Sequence, residues 1–410
     1  MRAAGEDTNP RGSRRSSVRG YPARDRTEDP RSYAVGSYSA RNAAEKSRAR
    51  GLKAVLVCVV LIALALALTL AGIIWFSQNP GSNPDEGAGF LGQPAGEQSA
   101  PAASYTITLD VSANPGAALS HSSVSAELGT SVERLPFATL AGMRFTGWYT
   151  APPGDPAAVK VDNASLNVLA RDSDQTLYAG FETRPSSTDY DNPGLPILMY
   201  HYFYDPENGE TGEDANWLDI RLFREHLAFL QSNAYYFPDW EEVVAYIRGE
   251  ILLPERSIVL TSDDGAESFF RLAAPLALEY GARMTSFIVL IDLLPERLEA
   301  YDPTRIFIQS HSYDMHRGGS DGDARILTAS YQEIYDDAIR GKEILGTMWA
   351  YCYPFGKTND TARAALSDAG VGVALVIEND RAYPLCDPMQ VPRLRINDGT
   401  TAEYLASVAY

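Results

Sequence analysis

Ser257-Ile258-Val259-Leu260-Thr261-Ser262-Asp263-Asp264-Gly265 is an apolar run that stops abruptly in two carboxylates and a glycine. A short apolar run bounded by turn residues reads as a buried strand. A helical pattern from Ser268 to Tyr280 follows, so the unit is strand, loop, helix. In α/β folds catalytic groups gather at the carboxyl ends of strands, which is where the Asp263–Asp264 pair falls. Side by side in a poorly solvated cleft, two carboxylates repel each other and one pKa rises unless a cation neutralises them. A metal ion does this, with one carboxylate as ligand and the other left as a base. Taken alone, Asp-Asp-Gly favours an ordinary surface turn. The balance shifts with a second cluster, His311-Ser312-Tyr313-Asp314-Met315-His316, which again follows an apolar run (Ile306 to Ile308) and holds two of the five histidines. Imidazole with carboxylate is a common ligand set for zinc and related divalent ions.

Around these clusters, strands and helices alternate as parallel βα units do. Apolar strand candidates are Ile197–His201, Ile258–Thr261, Thr285–Ile291, Ile306–Gln309, Trp349–Tyr353, Val371–Ile377 and Leu394–Ile396. Asp239 with Glu242, and Ser330 with Glu333, have the spacing of a capping box ahead of a helical pattern. Tyr331, Ile334, Tyr335 and Ala338 form an i, i+3, i+4, i+7 stripe, a core-facing side. The fold class is α/β, with about seven strands over residues 194–410.

Thr261-Ser262-Asp263-Asp264-Gly265 resembles the Thr-Phe-Asp-Asp-Gly motif of the polysaccharide deacetylases (NodB-homology domain, carbohydrate esterase family 4). Leu195-Pro196-Ile197-Leu198-Met199-Tyr200-His201 resembles the opening strand of that domain, His311-Ser312 with His316 its second motif, and Tyr353-Pro354-Phe355-Gly356 its third. The resemblance covers residues 194–410 and implies an irregular (β/α) barrel. It also implies a divalent metal ion held by Asp264, His311 and His316. Zinc is the first choice, and Asp/His₂ ligation also admits cobalt, manganese or nickel. Asp263 is then the general base, and the Phe355 backbone N–H helps hold the oxyanion. Tyr353, Pro354, Phe355 and Arg393 are the implied substrate-binding residues.

His201 is implied as the acid. In most of the family that histidine lies near the domain's C-terminus, and none follows His316 here. The chain therefore looks like the permuted branch of poly-N-acetylglucosamine deacetylases, where it moves to the first strand. Two departures stand out: Ser262 replaces the usual Phe, and the third motif lacks its Arg, a cation Arg393 of Val391-Pro392-Arg393 could supply. His226, in a helical stretch, and His121, in a Ser-rich loop, read as incidental.

Outside that domain the chain is uneven in charge. The formal net charge is −18, whereas residues 1–53 carry 13 Lys+Arg against 6 Asp+Glu. An acidic remainder argues against a nucleic-acid partner. Residues 1–52 lack the apolar content for a core and read as a disordered basic tail. Residues 53–76 are long and apolar enough for a transmembrane helix. A cleaved signal peptide would need an unusually long positive region, so a signal anchor with a cytoplasmic N-terminus is expected, with the rest outside the cell membrane. Residues 77–103 read as a flexible linker. Residues 104–183 read as a small β-rich module on Tyr105–Leu109, Gly142–Tyr149 and Thr176–Phe181, resembling one internalin-B-type repeat, with Trp148 and Tyr178 in its core. Residues 184–193 form a polar linker. Cys352 and Cys386 could pair or remain buried thiols.

The resemblance implies an enzyme removing N-acetyl groups from a GlcNAc-containing polysaccharide (exopolysaccharide or cell-wall glycan), and the apolar span with its basic flank makes it membrane-anchored and extracytoplasmic. The same site could serve a hydrolase of O-acetyl esters or other C–N bonds, and an inactive surface glycan-binding protein is the reading from another class.

Overall fold

The computed structural model describes residues 103–293, 301–319 and 323–409. The expected membrane anchor, the basic tail and nearly all of the 77–103 linker lie outside the described residues. Among the described residues no helix is long and apolar enough to cross a membrane.

Each of the seven apolar runs forms a strand, and together they make one parallel sheet. In chain order these are β6 (Ile197–Tyr200), β9 (Val259–Ser262), β10 (Met284–Ile288), β11 (Ile306–Ser310), β12 (Ala350–Cys352), β13 (Val373–Leu375) and β14 (Leu394–Arg395). Their spatial order is β13-β12-β11-β10-β9-β6-β14. β6, β9, β10, β12 and β13 are buried at every position. That is why they read as continuous apolar runs rather than alternating ones, since a parallel sheet is covered on both faces. The chain ahead of β14 runs alongside β13, with Ala374 N donating to Pro388 O and Val376 N to Val391 O. The sheet thus curls into an open barrel whose first and last strands are linked through this segment.

Helices α1 (Ile220–Ser232), α2 (Trp240–Ile247), α3 (Ala274–Glu279), α4 (Arg325–Thr328), α5 (Tyr331–Leu345), α6 (Asp360–Asp368) and α7 (Ala402–Ala409) complete the domain. Both expected capping boxes form, Asp239/Glu242 on α2 and Ser330/Glu333 on α5. The α5 stripe divides: Ile334 and Ala338 are buried, whereas Tyr331 stays exposed and stacks on Tyr335.

Residues 104–183 form a separate five-stranded sheet of β1 (Ser104–Asp110), β2 (Ser123–Glu127), β3 (Met143–Tyr149), β4 (Lys160–Val161) and β5 (Gln175–Thr183), in the order β2-β1-β5-β3-β4. Trp148 is in its core, as expected; Tyr178 is only half-buried. The module is not a bead on a string. Its Tyr105, Ile107, Trp148 and Leu177 share one apolar cluster with Trp240, Val243 and Ile247 of α2 and with Cys352 and Leu375 of the barrel. Phe145 exchanges backbone bonds with the segment after α2, its N–H donating to Glu250 O (2.7 Å) and its carbonyl accepting from Leu252 N (2.9 Å). Asn163 Nδ2 donates to Glu242 Oε1 (3.1 Å), and Arg134 pairs with Asp239 and Glu242, the two capping residues of α2. Residues 184–193 are tied down too: Thr188 donates to Leu385 O and Asp189 pairs with Arg144.

Cutting the chain to residues 194–410 strips this cover from α2 and leaves Glu242 without Asn163 and Arg134. Thermal melts should show that fragment melting well below a 104–410 chain and aggregating; equal melting temperatures would show the module to be dispensable for the fold.

Candidate active site

The ends of β6 and β9 are fastened together before any site chemistry begins. Thr261 Oγ1 donates to Leu198 O (2.7 Å), Asp263 N to Tyr200 O (3.0 Å), and Ser262 Oγ to His201 O (2.7 Å). The serine that stands where a Phe was expected thus anchors the His201 backbone. Asp264 then turns with φ +70° and Gly265 with φ +64°. A Cβ at Gly265 would lie 2.9 Å from Ile288 at the end of β10, so only glycine fits. This turn sends the two adjacent carboxylates in different directions.

Asp263 points into the barrel. Arg393 grips it in a two-pronged bond, Nη1 to Oδ1 at 2.7 Å and Nη2 to Oδ2 at 2.8 Å. The guanidinium also donates to Thr261 Oγ1, Val376 O and Cys352 Sγ. The Cys352 thiol in turn donates to Asp263 Oδ2 (3.3 Å). Burial pushes the Asp263 carboxyl up, but the Arg393 charge and hydrogen bonds outweigh it and hold the group well below its ordinary value. His201 Nε2 lies 4.0 Å from Asp263 Oδ2, and burial lowers the pKa of that imidazole. Its Nδ1 is buried without a hydrogen-bond partner among the described residues.

Asp264 points the other way, toward the histidine loop. Its Oδ1 is 3.4 Å from His311 Nε2 and 3.4 Å from His316 Nε2. His311 follows β11 directly, and its Nδ1 bonds Cys352 O (2.8 Å). A carbonyl only accepts, so a proton sits on Nδ1 and Nε2 is the ring nitrogen that faces Asp264. Beyond His311 the loop reverses through Ser312 (φ +76°). Asp337 of α5 holds it there, accepting from Tyr313 N and Asp314 N at 2.8 Å each. The reversal brings the His316 ring to 4.6 Å from that of His311.

Asp264, His311 and His316 therefore supply three convergent donor atoms of the kinds a zinc-like divalent ion takes, with one histidine tautomer already fixed by its outer partner. Asp263, His311 and Cys352 also approach one another, but the Arg393 guanidinium already provides the positive charge there.

Phe355 forms the rim. It is half-exposed, with φ +58° and its ring 4.4 Å from that of His316. Pro354 beneath it is buried. Three residues expected to bind substrate, buried Pro354 among them, do not reach a substrate surface. Tyr353 is fully buried and its hydroxyl donates to Met389 O (3.0 Å), because β12 carries it into the core beside Tyr351. Arg393, also fully buried, has its donors committed to Asp263 and its neighbours. Cys352 and Cys386 are free thiols. His226 is structural, bonding Tyr200 and Thr400 O. Asp337, Cys352 and Tyr202, whose hydroxyl donates to Asp264 Oδ2, are site residues that sequence reasoning passed over.

Residues 252–374 match the polysaccharide deacetylase family model. Among curated proteins it is similar to the poly-beta-1,6-N-acetyl-D-glucosamine N-deacetylases of Staphylococcus aureus, 22% identical over 193 residues, and of Staphylococcus epidermidis, 20% identical over 193 residues. Each match takes in 43% of this chain and 66% of the relative's length, just short of two thirds. Among solved structures it resembles the Streptococcus pyogenes deacetylase PplD in complex with acetate (21% identity, TM-score 0.47, 53% of this chain and 98% of that one). It also resembles IcaB from Ammonifex degensii (22% identity, TM-score 0.45, 53% and 97%). His201 and Arg393 lie outside the segment that the family model matches.

Replacing Arg393 with Ala strands a buried carboxylate, which should cost about 3–5 kcal/mol of stability. Asp263 titrates below its ordinary 3.8 in the fold, so this contribution is complete above that pH and fades as the pH falls through the lowered value. Denaturant unfolding of wild type and R393A should therefore differ at pH 7 and converge in acid; a gap that does not change with pH would rule out the ion pair as its source.

Proposed function

We propose that the chain is a metal-dependent N-deacetylase of a GlcNAc-containing polysaccharide. The observation that carries this reading is the division of labour between adjacent carboxylates: Asp264 among two imidazoles, Asp263 locked in the charged form by Arg393 and facing His201. Asp264, His311 and His316 would hold the ion, which supplies the charge that acidifies a water and polarises the acetyl carbonyl.

The chain's own groups account for the protons. Asp263 takes one from the attacking water. Arg393 makes the neutral acid unfavourable, so the proton does not stay there. His201, 4.0 Å away, is the neighbouring base that can accept it and give it to the leaving amine. The products are acetate and a free glucosamine amine. Phe355, exposed beside His316, offers an apolar face to a sugar ring, and its backbone N–H is our choice of oxyanion donor. The names of the staphylococcal relatives favour poly-β-1,6-N-acetylglucosamine as the polymer. The apolar, basic-flanked residues 53–76 support an anchored enzyme facing outward from the cell membrane.

The purified full chain should release acetate and new primary amines from acetylated glucosamine oligomers, lose this activity to a chelator and regain it with zinc or cobalt. Acetate without new amines would instead indicate ester hydrolysis; no acetate from a folded, zinc-bound chain would indicate a binding protein. Asp263→Asn and His201→Ala should each lower kcat by about 10²–10⁴-fold with zinc still bound. Phe355→Ala should raise KM more than it lowers kcat, measured on oligomers of increasing length.

A further inference from the structure

Tyr202 follows His201 directly and opens a two-stranded parallel sheet, β7 (Tyr202–Tyr204) with β8 (Trp217–Asp219), beside the barrel mouth. Its backbone N–H donates to Asn216 O (3.2 Å). Its ring stacks on the Trp217 indole, centroids 5.0 Å apart and planes 28° from parallel. The backbone and the ring are therefore both fixed before the hydroxyl is considered. That hydroxyl donates to Asp264 Oδ2, while Oδ1 of the same carboxylate is the oxygen that faces His311 and His316.

We propose that Tyr202 is the positioning residue of the metal site, holding Asp264 Oδ2 so that only Oδ1 is offered to the ion. The inference rests on the metal-site reading above and adds a role that the ligands alone do not require. A carboxylate can bind a cation through one oxygen or both. Two-oxygen binding would use a coordination position that hydrolysis needs for water and the acetyl oxygen, since catalytic sites keep such a position open. A donor on the outer oxygen opposes that mode and fixes the carboxylate plane, as outer-shell hydrogen bonds do for metal ligands generally. Because Asp264 sits on a left-handed turn, with a neighbour that must be glycine, the side chain has no helix or strand to orient it. Tyr202 supplies that orientation from a separate, rigid pair of strands.

Tyr202→Phe removes the hydroxyl and keeps the ring on Trp217. The full chain, stripped with a chelator, should be titrated with zinc against a competing chromogenic chelator and, separately, loaded with cobalt for visible absorption. The expected result is a 10–100-fold weaker zinc affinity, a cobalt spectrum shifted toward higher coordination number, and an unchanged melting temperature for the metal-free protein. In an Asp264→Asn background, which lacks the anionic acceptor, the same substitution should cost little further affinity. Wild-type affinity and spectrum in Y202F would overturn the proposal. So would a loss of undiminished size in the Asp264→Asn background, which would place the effect in the fold rather than in the carboxylate. If the wild-type chain binds no zinc, the metal-site reading itself fails, and this inference with it.

Discussion

The grip of Arg393 on Asp263 is the constraint around which the site is arranged. Burying a guanidinium and a carboxylate costs several kcal/mol per ion unless the pairing is close and the remaining hydrogen-bonding groups are satisfied. Both conditions are met. A guanidinium has five N–H groups, and those of Arg393 find Asp263 twice, Thr261, Val376 and Cys352. The arginine enters just ahead of β14, which pairs with β6 as β6 pairs with β9, so the pair forms where these three strands come together.

From this pair the site grades outward in polarity and exposure. Asp263 and His311 are buried, Asp264 and His316 are partly open, and Phe355 is on the surface. The burial is directional. It keeps Asp263 in a dry setting where the Arg393 cation governs its charge, and leaves Asp264 and His316 reachable from solvent. Three of the five non-glycine residues with left-handed backbone among the described residues, Asp264, Ser312 and Phe355, fall in this small region. Such conformations cost about 1–3 kcal/mol each and persist where surrounding bonds impose them. Here Gly265, the Asp337 carboxylate and buried Pro354 are the neighbours that do so.

Much of this was legible in the residue order, for physical reasons that also mark where legibility stops. The seven strands announced themselves because full burial writes a continuous apolar run. The Asp-Asp-Gly and His-x₄-His clusters stood out because turns and polar groups at strand ends interrupt such runs. Asp337 did not, because it lies on a helix whose periodicity already had an explanation in packing, and its role depends on a loop some two dozen residues earlier. Cys352 and Tyr202 looked like ordinary members of apolar and aromatic stretches. Tyr353 and Arg393 were assigned outward-facing work because spacing along a chain cannot say which side of a barrel wall a side chain faces. The reach of Arg393 toward the missing cation position was anticipated; its complete burial was not. The union of the β module with α2 was equally invisible, since Arg134 and Asn163 are unremarkable residues until Glu242 is seen beneath them.

That union also bears on how the polypeptide matures. The cluster that closes around Ile107 and Trp148 includes Val373, Leu375 and Val391. Strands synthesised first must wait for residues nearly three hundred positions later before their shared interior is complete. Pairings this distant in order are slow to form, because the entropy of a long loop is lost before its contacts are gained. The nascent chain will therefore expose the apolar face of this sheet, Ile107 and Trp148 included, until its last strands arrive.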